Sequence, residues 1–358
     1  MEEDFRRRRG VHAVVALALA ILTASSLASA AGAAGENAYV QHNLVSDVPG
    51  AADRVDPNLV NAWGLTSLPT SPWWVADNGT DVSTIYQADG TPRPLVVQVP
   101  SAPTGAASNT GSGFVVSEGA NSGPALFLFA TEEGKILGWN PNVDATHAVV
   151  GADRSSAGAI YKGLAISGDT LYATDFHNAR VDAFDSSFGL VNDPGAFVDP
   201  KLPSGFAPFG IAAIGGRILV SYAKQDAARE DDVAGQGLGF VDAFSPSGAL
   251  LQRIATRGQL NAPWGLAIAP AGFGSFGGDL LVGNFGDGEI NAYQPQATST
   301  YERVGALKSA DGKPILIDGL WALAFGKGTV NNGPTDTLFF TAGPDDETHG
   351  LFGTIRAH

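Results

Sequence analysis

Carboxylates, amides and two histidines stand at recurring places along this chain. Asp77 and Asn78 follow one short apolar run, Glu132 and Glu133 a second, and Asp175, His177 and Asn178 a third. Asn284 and Asp287 follow another, and Ala342 to His349 another. A hard cation needs several oxygen ligands. Asp77, Asp175 and Asn284 are therefore candidate ligands for a divalent cation such as calcium. The same residue types also cap tight turns by accepting from nearby backbone N–H groups, so each has a structural reading as well. His177 could act as a general base. His42 and His147 fall on outer strands, and His349 lies in a loop far from His177 in sequence.

A second set of residues recurs just before a small residue: Trp63, Ser112, Lys162, Phe209, Trp264 and Trp321. Trp63, Trp264 and Trp321 could form an aromatic collar that stacks a sugar or a cation, or could simply pack between elements. Lys162 is the one charged member and could pair with a nearby carboxylate. Tyr222 belongs to the same group of candidate ligand contacts. Nucleophile-elbow, zincin and phosphate-loop motifs are absent. Gly272 to Gly277 matches G-x-G-x-x-G by letter but has no helix after it, so it reads as a turn.

These residues are positioned by a repeat of about fifty residues. A bulky residue, Gly or Ala, then alternating apolar residues recur at Trp63-Gly64-Leu65, Gly113-Phe114-Val115-Val116 and Gly163-Leu164-Ala165-Ile166. They recur again at Phe209-Gly210-Ile211, Trp264-Gly265-Leu266 and Trp321-Ala322-Leu323. Each is followed by further runs of period two, the mark of strands. Outer strands are expected at Leu95–Val99, Ala148–Val150, Ala196–Val198, Leu250–Ala255 and Arg303–Leu307. Six such units predict an all-β, six-bladed β-propeller of four-stranded blades. The last unit lacks a strand and the segment Tyr39 to Val45 is spare, so the N-terminal strand should complete the last blade. A β-sandwich is the rival arrangement. In a propeller the loops after second strands share one face, and here that face would be acidic. Lys224 to Gln236 is longer than its equivalents and reads as a lid or a solvated loop.

Composition agrees. The chain has 46 glycines, 21 prolines and no cysteine, which excludes disulfides, thiolate metal sites and a cysteine nucleophile. Arg6 to Arg9, the apolar run Val11 to Leu22 and Ala28-Ser29-Ala30 have the order of a secretory signal peptide. Residues 1–30 are read as that leader and 31–358 as one exported domain, extracellular and with no membrane span. The formal net charge is −15, which gives no electrostatic reason to bind nucleic acid. A small molecule, a glycan or a protein is the expected partner.

Asp175 to Phe184 resembles the D-x-x-N-x-R-V-x-x-F signature of NHL repeats, and Ala262 to Ala267 resembles the opening of the same repeat. The chain from residue 31 onward is similar to secreted bacterial propellers with no assigned function. That resemblance implies a fold and a location, not a reaction. Related propellers of the gluconolactonase and strictosidine synthase type use channel carboxylates and amides. They suggest an alternative function, a metal-dependent lactonase- or lyase-like hydrolase. Here the first repeat reads Asn61-Ala62-Trp63-Gly64, without the Glu-Gly-Pro-x-Trp opening of gluconolactonases.

Overall fold

The computed structural model describes residues 37–191, 193–297 and 300–358. The leader proposed for residues 1–30 lies outside them. Period-two segments form antiparallel strands in six sheets, five of which run outward in chain order. The innermost strands are Ala62–Thr66, Pro103–Ser108, Tyr161–Ser167, Phe206–Ile214, Pro263–Ile268 and Leu320–Phe325. These strands touch one another in cyclic order, and the last meets the first. The result is a six-bladed β-propeller, with blades numbered here in chain order.

Blade 6 closes the ring. Its first three strands are Leu320–Phe325, Leu338–Ala342 and Leu351–Ala357, and its fourth is Tyr39–Ser46. Tyr39 lies opposite Ala357 and Ser46 opposite Leu351. Tyr39 is fully buried and packs between Phe273 and Phe276 of blade 5. Apolar burial thus reinforces the ladder that joins the two ends of the chain.

Two strands expected from the sequence are corrected. Val115–Glu118 is not an inner strand: it pairs with Asn121–Pro124 in a separate hairpin. The inner strand of blade 2 is Pro103–Ser108, where Thr104-Gly105 takes the place assigned to Ser112-Gly113. This strand has no bulky residue, so hydrophobic periodicity did not reveal it. In blade 3 the outer strand is Leu190–Val191, not Ala196–Val198. Phe197 instead packs on Tyr172 and Phe244, tying blade 3 to blade 4.

One contact recurs around the ring. Pairing of the inner strand slips between Ala62 and Leu65, Tyr161 and Leu164, Pro208 and Ile211, and Leu320 and Leu323. Each slip is a β-bulge that re-aims a side chain. The small residue within it permits close approach. A Cβ on Gly64 would lie 2.4 Å from the Thr104 carbonyl, and one on Gly210 would lie 2.0 Å from that of Trp264. A hydroxyl from the second strand fills the bulge. Thr174 Oγ1 accepts from Gly163 N and donates to the Phe209 carbonyl of the next blade. Thr341 Oγ1 accepts from Ala322 N at 3.1 Å and donates to the Trp63 carbonyl at 2.5 Å. Ser221 Oγ accepts from Gly210 N in the same place.

Thr341→Val keeps the shape of this clasp and removes its hydrogen bonds. Leaving a buried N–H and carbonyl unpaired costs about 1–3 kcal/mol. Urea unfolding of Thr341→Val should show a loss of that size. A change within error would show that the clasp is dispensable.

Candidate functional site

The bulges bring a set of inner-strand side chains together at the ring axis. Trp63 and Trp321 stack with ring centroids 3.7 Å apart, and Phe285 stacks on the other side of Trp321 at 4.0 Å. Trp264 meets both indoles edge-on, and Phe209 packs against Trp321. Side chains from blades 1, 4, 5 and 6 therefore form a dry aromatic plug. Trp63 and Trp321 are buried within it and offer no open collar.

A polar layer covers this plug on the loop face. Both indole N–H groups, of Trp63 and Trp321, donate to Asn61 Oδ1, at 2.8 and 3.0 Å. Asn61 has a left-handed backbone, φ 48°, which asparagine tolerates better than most residues. Its amide nitrogen donates to Asn78 Oδ1 and to Glu347 Oε2, the latter at 2.7 Å. Asn78 donates in turn to Glu132 Oε2.

Glu132 accepts from Lys162, which also donates to Asp231 Oδ1 at 2.9 Å. Lys162 is 1% exposed, and its ammonium lies 5.1 Å from the Trp63 ring centroid. Burial pulls its pKa down, but the carboxylates of Glu132 and Asp231 overcome this and hold it above the usual lysine value. Burial raises Glu347, and raises Asp232 to about 7 despite the opposing charge of Lys162. The network thus spans blades 1, 2, 3, 4 and 6.

The insertion Lys224 to Gln236 supplies Asp231 and Asp232. It is tied down at both ends: Gln225 Nε2 donates to the Phe176 carbonyl at 2.6 Å, and Asn261 Oδ1 accepts from Gly235 N at 2.6 Å. Through Asp231 it reaches Lys162, while most of its residues stay exposed to solvent.

The predicted residues are not all gathered here. Trp63, Trp264, Trp321, Lys162 and Asn78 belong to the plug or its polar cover. Asp77 is buried in blade 1, where Oδ2 accepts from Thr84 N. Asp175 accepts from Asn178 and faces Arg180 at 3.3 Å. Asn284 donates to Gln259 O and Asp287. Each of these three closes a turn of its own blade, so they form no common cation site. Among the described residues no three His, Asp or Glu side chains gather as a metal site requires.

Tyr222 is also misplaced by the sequence reading. It is buried among Tyr172, Phe206 and Phe240. His177 lies beside Glu133 and Glu230 at a shallow cavity, with Nδ1 buried and unpartnered. It touches none of the polar-layer residues by hydrogen bond. His349 pairs with Asp47 at 2.7 Å, which raises its pKa. Glu347, Asp231 and Asp232 complete the site; the last two belong to the insertion noted from its length, and none was a candidate ligand contact. Their only signal was the length and acidity of the two loops that carry them.

No family model matches the chain. Two uncharacterised proteins of Acanthamoeba polyphaga mimivirus are each 34% identical to it, over 326 and 327 residues. The alignments cover 87% of this chain in both cases, and 84% and 78% of those proteins. The chain belongs to their family. Among solved structures, this mimivirus-type propeller is similar to virginiamycin B lyase from Staphylococcus aureus at 14% identity, with a TM-score of 0.51. That match covers 89% of this chain and 99% of the lyase. A glucose dehydrogenase matches at 12% identity, with a TM-score of 0.53 and the same two coverages. At these identities the likeness establishes the propeller fold alone.

Asp232 gives the site a pH signature. Its carboxyl titrates near 7 when folded and near 4 when unfolded. Between those values the folded state binds more protons, so stability falls as pH rises from about 4 to about 7, then levels. Glu347 contributes with the same sign. Asp232→Asn should raise the melting temperature at about pH 7.5 and flatten the profile between about pH 5.5 and 7.5. Thermal melts across that range test it. An unaltered profile would remove Asp232 from the buried network.

Proposed function

We propose that this protein is a secreted binding propeller that takes a polar, positively charged small molecule or glycan at its loop face, beside the insertion of residues 224–236. One observation carries this reading: a lysine almost wholly buried at the ring axis, held by Glu132 and Asp231 with Asp232 and Glu347 nearby. Buried ionisable groups are costly unless paired, and perturbed pKa values cluster at functional sites. Here the carboxylates outnumber the one ammonium. The mouth therefore keeps negative potential after its internal pairing, and the acidic chain adds to it.

Asp287, held by Asn261 and Asn284 on the same rim, extends the acidic ring. The metal-dependent hydrolase reading is not adopted, because Asp77, Asp175 and Asn284 each serve a separate blade. The lyase and dehydrogenase named above share the fold at too low an identity to lend their reactions.

Calorimetry with a glucosamine tetramer and its neutral N-acetylated counterpart tests the charge requirement. The cationic sugar should bind and the neutral one should not. Asp231→Asn or Glu347→Gln should weaken binding about ten-fold, as loss of a charge-assisted contact does. Salt should weaken it too. Equal affinity for both sugars, or none for the amine, would overturn the reading. Export is tested by N-terminal sequencing of protein recovered from the medium. The mature chain should begin at Ala31. Recovery only inside cells, with Met1 retained, would refute secretion.

A further inference from the structure

The aromatic plug ends in a ring that is not sealed. Trp63, Trp321 and Phe285 form one stack, with centroids 3.7 and 4.0 Å apart. Both indoles of that stack are buried, as are Phe209 and Trp264 beside it, whereas Phe285 is partly exposed. Among the described residues its ring stacks on Trp321 alone, and no cation lies over it.

The place of Phe285 in the repeat makes this exposure unusual. It directly follows the second strand of blade 5, Leu280–Asn284. The residues that follow the second strands of blades 1 and 2 are Asn78 and Glu132, and both belong to the polar layer. Blade 3 has Phe176 there, but that ring is fully buried against Phe209. Blade 5 thus sets an aromatic ring among the polar positions and leaves it partly open. Its inner face is taken by Trp321, and it leaves a loop-face turn, so its open side belongs to the mouth.

The turn is held in place. Phe285 N donates to the Ala262 carbonyl at 3.0 Å, and Gly286 N to that of Asn261 at 3.2 Å. A Cβ on Gly286 would lie 3.1 Å from the Cβ of Ala234. The insertion that carries Asp231 and Asp232 therefore packs beside the same turn, and Asp287 of the acidic rim lies two residues on. An aromatic face is negative at its centre and attracts both an ammonium and the polarised C–H face of a saturated ring. An open-chain amine offers the charge without the flat face.

We propose that Phe285 is the stacking platform of the loop-face site, and that the ligand class it selects is the amino sugar over the open-chain polyamine. This rests on the cationic-ligand reading above: the carboxylates recognise charge and Phe285 recognises shape.

Calorimetry of the full chain with the glucosamine tetramer and with spermine tests it. The tetramer should bind about ten-fold more tightly, within the range of one aromatic contact. Phe285→Leu keeps an apolar contact on Trp321 and removes the ring. It should weaken the tetramer by that factor and leave spermine unchanged, while Phe285→Tyr should retain the preference. In proton NMR the sugar-ring signals should shift upfield on binding to the wild type and to Phe285→Tyr, and not to Phe285→Leu. Equal affinity of the wild type for the two amines would overturn the proposal and leave the cationic-ligand reading standing. So would a Phe285→Leu variant that weakens both amines alike or neither. Binding of neither amine by the wild type would overturn both.

Discussion

The structure depends on how closely neighbouring inner strands approach at the bulge. There a backbone carbonyl of one blade sits where a Cβ of the previous blade would otherwise be. Gly64, Gly163, Gly210 and Gly265 leave that space open, and Thr174 and Thr341 bridge it with hydroxyls. Side chains at period two cannot produce this contact, since a regular strand sends them to its two faces. The bulge breaks the alternation at one residue and turns it to the axis. The plug follows from that single irregularity, repeated around the ring.

Lys162 shows what happens when one repeat departs from its pattern. Where blades 1, 4, 5 and 6 place an indole or a phenyl ring and blade 2 places Thr104, blade 3 places an ammonium. A dry aromatic surround would discharge it. Instead Glu132 and Asp231 approach from two other blades, and Asn61 and Asn78 connect them to the indoles. One polar substitution in a hydrophobic ring has thus required carboxylates and amides from loops distant in sequence. Together they lay a charged, hydrogen-bonded layer over the aromatic plug.

The fold was legible because a bulky residue followed by a small one recurs at nearly constant spacing, and because a missing strand at one end matched a spare strand at the other. Blade 2 was not legible, since Thr104-Gly105 carries no bulk and the hairpin at Val115–Glu118 imitates the pattern. Lys162 stood out as the charged member of an aromatic series. Tyr222 was misassigned because alternation tells which residues share a face, not which face meets the axis. Asp77, Asp175 and Asn284 were placed on the correct loops. Their hydrogen bonds, however, run back into their own turns, a preference of short polar side chains that loop position alone does not reveal. Glu347 and Asp231 depend on how far two irregular loops reach, which no periodicity encodes.

Ring closure has a mechanical side. Tyr39 and Ala357 face each other at the same end of an antiparallel ladder, and His358 N donates to the Ala38 carbonyl just beyond it. Tension applied across these two ends loads the ladder one rung at a time, as in a zipper, and does not shear all rungs together. The pairing that completes blade 6 therefore also makes this junction the seam at which pulling would begin to unwind the ring.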